Sequence, residues 1–397
     1  MVKCSAQFPC HPPCPRNATD GTTGAIGNEP HHIGVSADGK TFVTGGLLSV
    51  LRGQDQTFFF DVTRPRSPQF ITANNPGYDP KTGAPSASIA DEFEPLSNGG
   101  FLASFMGGPN GAAPGRVVEY DANHHYVNAW PTDLPESGFN PHGIAVDEVH
   151  NLIVTSDFIC PLHTLYYTGN HPNAEFRGSV RVWDFKNRAI KKTIIIGDPA
   201  EPAGTINIQL IPNDPQLRAF TDGVYDGKLY LVDTENGTAK PVFNFTTDPR
   251  FINAGGAPVW PHLFRISKDA HYLYITLNYL GKAGKVVAFD ITNPDDPKVT
   301  GIVDLGPNSG PHYLHLSKDE KRLVVSDYFL NEDLVPPGVV AVEGDHKIHV
   351  IKVDEGKLEL DTRFDLDFNS AFSTGPARPH GLTLLSSKGD NANSDGS

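Results

Sequence analysis

The sequence predicts an all-β chain folded as a single β-propeller of about seven four-stranded blades, with the ring closed by N-terminal strands. Three observations predict this: a two-strand unit that recurs along the chain, a composition suited to short strands and tight turns, and histidines that return at one position of the unit.

The recurring unit reads Pro-His, an alternating apolar stretch, a Ser/Asp-rich turn, and a second strand ending near Ser-Asp. It begins at Pro30-His31, Pro141-His142, Pro261-His262, Pro311-His312 and Pro379-His380. Ser36, Asp147, Ser267 and Ser317 each follow their His by five residues, and Ser156, Thr276 and Ser326 follow by fourteen. Two segments enter the same frame without the His, one at Glu92 (EFEPLSNGGFLASFMGG) and one at Gln209 (QLIPNDPQLRAFTDG). The starts 31, 92, 142, 209, 262, 312 and 380 lie 50 to 68 residues apart, room for four short strands each. Later strands of the units are legible as FFFDV (58–62), RVVEYD (116–121), SVRVWDF (179–185), GKLYLVD (227–233), KVVAFDI (285–291) and HKIHVIKVD (346–354). Only 17 residues follow His380, so the seventh blade is expected to borrow strands from the N-terminal segment, which would leave no open sheet edge.

Composition agrees. The chain has 397 residues with 38% hydrophobic content, 39 Gly, 34 Pro and 23 Phe, a mixture that suits turns and strands rather than helical bundles. The organisation expected is a Cys/Pro-rich segment at 1–30 packed on the ring, the propeller at 31–385, and a disordered tail at 386–397. A net charge of −14 argues against nucleic acid and anionic membranes as partners. No apolar run approaches the ~18 residues of a membrane span. Small hydrophobic organic molecules are the partners expected, and the oligomeric state is not legible.

Two features suggest secretion, although no signal peptide is visible. Cys4, Cys10, Cys14 and Cys160 allow two disulfides in three pairings, one of which could tie the N-terminus to the body. Asn17, Asn236 and Asn244 head glycosylation sequons. The localisation expected is the secretory pathway or the cell exterior.

In a propeller the first strand of each blade lines the central channel. The shared offset therefore gathers His31, Glu92, His142, Gln209, His262, His312 and His380 around one mouth, with His32 beside them. Converging imidazoles and a carboxylate suit a transition metal, and they equally suit acid–base work near neutral pH. A ring of histidines hydrogen-bonded to neighbouring blades is the bland alternative. Arg52, Phe158, His163, Trp260, Asn278, Tyr279 and Tyr328 fall in loops or strand ends that would wall a substrate pocket there. Asp157 and Asp327, at the ends of second strands, read as blade-to-blade turn contacts. There is no P-loop, GxGxxG, GxSxG or CxxC motif, so nucleotide-driven and serine-hydrolase chemistry find no support.

EPHHIG, FFFDVTRPRSPQF, NLIVTSDFICPLHTL followed by GSVRVWDFKNRAIKKTI, DAHYLYITLNYLGKAGKVVAFDITNPDDPKVTG and KRLVVSDYFL resemble the selenium-binding protein/methanethiol oxidase family across most of the chain. The resemblance implies a propeller and a metal, copper or another transition metal, held by channel histidines; His142, His262, His312 and His380 are the ligands it would use here. The family's N-terminal Cys motif is absent in its usual form, and its C-terminal His-Glu-x-Arg-Tyr-Pro-Gly-Gly-Asp segment is here only His380-Gly-Leu-Thr. In size, suspected secretion and divergence the chain also resembles the fungal glycosylated hetero-Diels–Alderases of tropolone–sesquiterpene biosynthesis.

Three functions follow as expectations. The leading one is a [4+2] cyclase joining a reactive enone to a terpene alkene; it needs an apolar pocket, a hydrogen-bond donor and no cofactor. The second is a copper-dependent, methanethiol oxidase-like oxidoreductase using the channel histidines. The third is a non-catalytic binding propeller.

Overall fold

The computed structural model describes residues 30–47, 49–52, 54–76, 86–133, 138–164, 175–252, 259–279, 283–328, 344–373 and 375–385. They form a propeller of six blades, each a four-stranded antiparallel sheet of consecutive strands. The blades run from Pro30 to Asn74, Ser88 to Trp130, Pro141 to Ile195, Thr205 to Asn244, Val259 to Asp304, and Pro311 to Leu360. A short strand, Leu366–Asp367, adds to the sixth sheet beside Lys347–Asp354. Among the described residues no helix is long and apolar enough to cross a membrane.

The count of about seven blades is therefore corrected to six. Pro30–Val35 is the inner strand of a complete sheet of its own, so it is not lent to the last blade. The start at 380 is a real position in the frame but not a blade. Ser326 Oγ donates to the His380 carbonyl, and the Gly381 N–H donates to the His31 carbonyl at 3.0 Å, so this segment lies between blade 6 and blade 1 without strand structure. The expected N-terminal segment and C-terminal tail lie outside the described residues.

Why the inner strands converge is visible in their registers. In every blade the inner strand advances three residues while its partner advances two, which is a β-bulge. The pairing steps from Pro30↔Gly46 to Ile33↔Thr44, from Ala90↔Phe105 to Phe93↔Ala103, and from Pro141↔Asp157 to Ile144↔Thr155. It steps from Thr205↔Gly223 to Ile208↔Thr221, from Pro261↔Leu277 to Phe264↔Ile275, and from Pro311↔Asp327 to Leu314↔Val325. The residues skipped are 31–32, 91–92, 142–143, 206–207, 262–263 and 312–313. Each bulge sits where its strand enters the channel.

The repeated hydroxyls join blade to blade across these bulges. Ser104 Oγ donates to the His142 carbonyl, Ser156 Oγ to Ile206 O at 3.2 Å, and Thr276 Oγ1 to His312 O at 2.9 Å. Gly143 follows the ring histidine of blade 3 because a Cβ there would lie 2.8 Å from the Ile208 backbone nitrogen and from Ser156 Oγ. Apolar side chains fill the spaces between sheets: Val43, Phe59, Phe93, Phe101 and Phe105 between blades 1 and 2, and Val154, Val182, Ile208 and Val232 between blades 3 and 4. Phe101–Gly107 and Leu152–Ile159, the second strands of blades 2 and 3, are buried at every residue. Asp157 and Asp327 close loops as expected: each accepts a backbone N–H, from Asn140 at 2.8 Å and from Gly310 at 2.5 Å.

Ser156 carries a test of this stitching, since its buried Oγ also accepts the Gly143 N–H at 3.2 Å. Ser156→Ala removes the acceptor of the Gly143 N–H and a donor to the Ile206 carbonyl, and should cost about 1–3 kcal/mol in urea unfolding of the whole chain. A change within the roughly 0.5 kcal/mol of an ordinary surface substitution would show that the hydroxyl does not join the blades.

Candidate metal centre in the central channel

Five of the six bulges place His31, His32, Asp91, His142, His262 and His312 in the channel, and the segment after blade 6 adds His380. All are buried, at 0 to 5% exposure. The structure thus brings together six of the eight residues expected around the ring. Glu92 and Gln209 are not among them. The first bulge residues of blades 2 and 4 are Asp91 and Ile206, so the sequence frame is shifted by one residue and by three. Glu92 Oε2 instead accepts the Ile144 N–H at 3.2 Å, while Gln209 bonds Phe264 O at 2.8 Å and the Ile266 N–H at 3.1 Å. Both hold their blade to the next one.

Asp91 is the candidate ligand that the sequence frame missed. Its carboxylate is fully buried between imidazoles: His32 Nδ1 lies 2.7 Å from Oδ1, His31 Nε2 3.7 Å from Oδ1, and His142 Nε2 3.1 Å from Oδ2. None of these approaches has hydrogen-bond geometry, and both Asp91 oxygens are left without a hydrogen bond, as are His31 Nδ1 and His142 Nδ1. Donor atoms of His31, His32, Asp91 and His142 all lie within 4.8 Å of one another. A second group, His32, His312 and His380, meets the same condition and shares His32 with the first.

The far side of the ring is a nitrogen relay. His32 Nε2 is 3.2 Å from His312 Nε2, His312 Nδ1 is 3.0 Å from His262 Nδ1, and Asn278 Nδ2 is 3.1 Å from His262 Nδ1. Of the ligand set read from the resemblance, His142 lies in the first donor group and His312 and His380 lie in the second, while His262 lies in neither.

Burial sets the protonation of this cluster. It lowers His32 and His262 to about 3 and His142 to about 4, and holds His31, His312 and His380 well below the ordinary histidine value, with neighbouring imidazoles adding to the effect. The imidazoles are neutral at pH 7, with the lone pairs a metal requires. Burial pushes Asp91 up to about 7, against the opposing pull of His142. A buried carboxyl with two unbonded oxygens among neutral imidazoles fits a transition metal ion; three nitrogens and one oxygen suit copper, iron or zinc.

Below the ring the channel opens into a cavity of about 380 Å³ lined by Glu92, Glu94, Gln209, Arg265, Tyr313 and His315 among others. Tyr313 separates it from the ring, edge-on to His32 with centroids 5.0 Å apart. Arg265 donates to the Tyr313 hydroxyl at 3.0 Å and approaches Glu92 at 3.6 Å. Burial raises Glu92 to about 7, and burial together with the Glu92 charge raises Glu94 to about 8.

The expected pocket wall is divided. Phe158 packs edge-on to His142, Tyr328 lies against His380, and Asn278 bonds His262. Trp260 and Tyr279 are core residues instead. His163 pairs with Glu175 away from the ring. Arg52 ends a short 3-10 turn, and its side chain lies outside the described residues. Cys160 is a buried free thiol, and the partners expected for it, Cys4, Cys10 and Cys14, lie outside the described residues, as does Asn17. Asn236 is exposed in a turn, and Asn244 is half-buried at a strand end.

A family model described as 56kDa selenium binding protein (SBP56) matches residues 24–396, and the chain belongs to this family. It is 23% identical to a methanethiol oxidase of Rattus norvegicus over 72% of this chain and 67% of that protein. Identity to selenium-binding protein 2 of Mus musculus is also 23%, with the same coverage of each. The structure is similar to that of a hypothetical selenium-binding protein from Sulfolobus tokodaii, with a TM-score of 0.69 and 19% identity over 89% of this chain and 82% of that one. A periplasmic gluconolactonase of Pseudomonas aeruginosa shares the fold at a TM-score of 0.55 and 12% identity, covering 88% of this chain and 89% of that one.

The neutral imidazoles make the metal-free chain acid-sensitive. Unfolded histidines take up protons near the ordinary value of 6.5, whereas the folded ring does so only near 3 to 4. The unfolded state therefore binds more protons between these limits, and stability falls as pH drops through that window. Asp91, Glu92, Glu94, Asp222 and His349, all raised in the fold, act in the opposite sense, but they are fewer than the six ring histidines, which His315, lowered to about 4, joins. Denaturant melts of metal-free chain should show lower stability at pH 5.5 than at pH 7.5; equal stabilities would mean that the folded ring takes up protons over this range as readily as the unfolded chain.

Proposed function

We propose that this member of the selenium-binding protein family is a metal-dependent oxidoreductase, an oxidase of small thiols, with its metal held by His31, His32, Asp91 and His142. The observation that carries this reading is Asp91, a buried carboxyl with two unbonded oxygens facing three neutral imidazoles. The relatives named methanethiol oxidase support the substrate class. A copper or iron ion in such a set supplies a redox couple and Lewis acidity.

The chain's own residues do the rest. Burial of the ring keeps water from its donors. The cavity under Tyr313 has room for a small molecule, and Arg265 gives it a fixed cation that holds the Tyr313 hydroxyl. Glu94, its carboxyl raised to about 8 and so largely protonated at pH 7, is the group in that cavity that becomes a base for the proton of an incoming thiol as the pH approaches 8. The cavity has donors in Arg265 and Tyr313, but Glu92, Glu94 and His315 make it more ionisable than the apolar pocket of the cycloaddition reading, and the aromatics touching the ring, Phe158, Tyr313 and Tyr328, are themselves buried.

Elemental analysis and oxygen uptake with a small alkyl thiol test the proposal. The purified chain should carry stoichiometric copper or iron, and a chelator should abolish oxygen uptake. Asp91→Asn should weaken metal binding by at least about tenfold. A metal-saturated chain that consumes no oxygen with alkyl thiols, or an Asp91→Asn chain with undiminished metal, defeats the reading.

Glu94→Gln provides a separate check. It should leave metal content unchanged, lower kcat/KM by about 10²-fold or more, and remove one ionisation from the pH profile. An unaltered profile would exclude Glu94 as the proton acceptor.

A further inference from the structure

A second cluster of ligating side chains lies outside the ring, where blade 3 turns from its second to its third strand. Cys160, His163 and Glu175 offer a sulfur, a nitrogen and an oxygen, all within 4.8 Å of one another. We propose that these three residues form a second metal site, for a borderline-soft divalent cation of the zinc class.

The fold brings them together by two local rules. The ladder between strands Leu152–Ile159 and Phe176–Asp184 ends at the pair Ile159↔Phe176, and the Cys160 N–H donates to Glu175 O at 2.9 Å just beyond it. Cys160 and Glu175 are therefore opposite one another on rigid backbone. The helical turn Pro161–Thr164 follows at once, and its three-residue step returns His163 to the side of Cys160. His163 Nδ1 already meets Glu175 Oε2, and Arg177 holds the other carboxylate oxygen at 2.8 Å. Arg177 is anchored in turn by Asn140 Oδ1 at 2.8 Å, so Glu175 is oriented from behind in the manner of a supported ligand.

The donor set selects the ion. Thiolate, imidazole and carboxylate together are the ligands of zinc, and three protein donors leave one position of a tetrahedron open. Zinc bonds of about 2.0–2.3 Å place tetrahedral ligands roughly 3.5 Å apart, so small side-chain rotations close the site. Cys160 is 2% exposed, whereas the side chains of His163 and Glu175 are 46% and 38% exposed, which gives an ion a path in. A third cluster, Asp327, Asp345 and His349, is explained without metal. His349 stands opposite Val325 as Arg181 stands opposite Thr155, and it pairs with Asp327 as Arg181 pairs with Asp157.

Cobalt reports this site separately from the ring, because the ring donors are nitrogen and oxygen only and Cys160 supplies a thiolate. Metal-stripped full-length chain titrated with Co²⁺ should develop a thiolate-to-cobalt charge-transfer band in the near ultraviolet, and Zn²⁺ should displace it. Cys160→Ser should lose the band, and His163→Ala should bind at least about tenfold more weakly. The proposal fails if the unmodified chain shows no such band, or if Cys160→Ser retains it through Cys4, Cys10 or Cys14. Should Cys160→Ser not fold, His163→Ala decides, since its side chain is largely outside the core; unchanged affinity overturns the site.

Discussion

The β-bulge at the head of each inner strand is the constraint on which this molecule depends. An extra residue there breaks the alternation of the strand and turns its leading side chain into the channel. Repeated in six blades, it assembles a ring from residues distant in sequence. The same bulge frees backbone groups that the neighbouring blade must satisfy, and Ser104, Ser156 and Thr276 do so, while Ser326 holds the segment at His380 in the same way. The geometry of the site and the cohesion of the propeller are thus one set of interactions.

Such a ring is expensive to bury. A carboxyl and six imidazoles removed from water would each rather be solvated, and their ionised forms are suppressed as a result. A propeller needs none of these groups at its axis, since Ile206 serves at the equivalent point of blade 4. Their presence, with Asp91 unbonded at the centre, is the physical ground for reading a metal centre rather than a packing motif. The relay from His32 through His312 to His262 shows that the bland alternative accounts for only part of the ring.

The cavity beneath the ring differs in character. Glu92, Glu94 and Arg265 make it polar and ionisable, and Tyr313 forms its boundary with the histidines. A cycloaddition pocket would be apolar; a site that must accept a proton from a small substrate would look like this. The metal cluster proposed at Cys160 is built differently, from a ladder end and one helical turn, and owes nothing to the propeller's symmetry.

By itself the sequence determined the propeller class and most of the ring. Pro-His followed by strand, turn and strand is a local pattern, and local patterns survive in a single chain. His31, His32, His142, His262, His312 and His380 were legible for that reason. The turn residues misled where the hairpins begin. Ser97 and Asp214 look like the counterparts of Ser36, but the backbone bonds Leu96 N–H to Gly100 O and Ile211 N–H to Arg218 O show that Leu96 and Ile211 hold that position. Counting back from the wrong residue selected Glu92 and Gln209 over Asp91 and Ile206. Tertiary structure alone decided the blade number, because His380 carries the motif's first residues but finds no partner strand. It also decided which donors meet, since distances across a channel depend on how six sheets pack and not on any spacing within one.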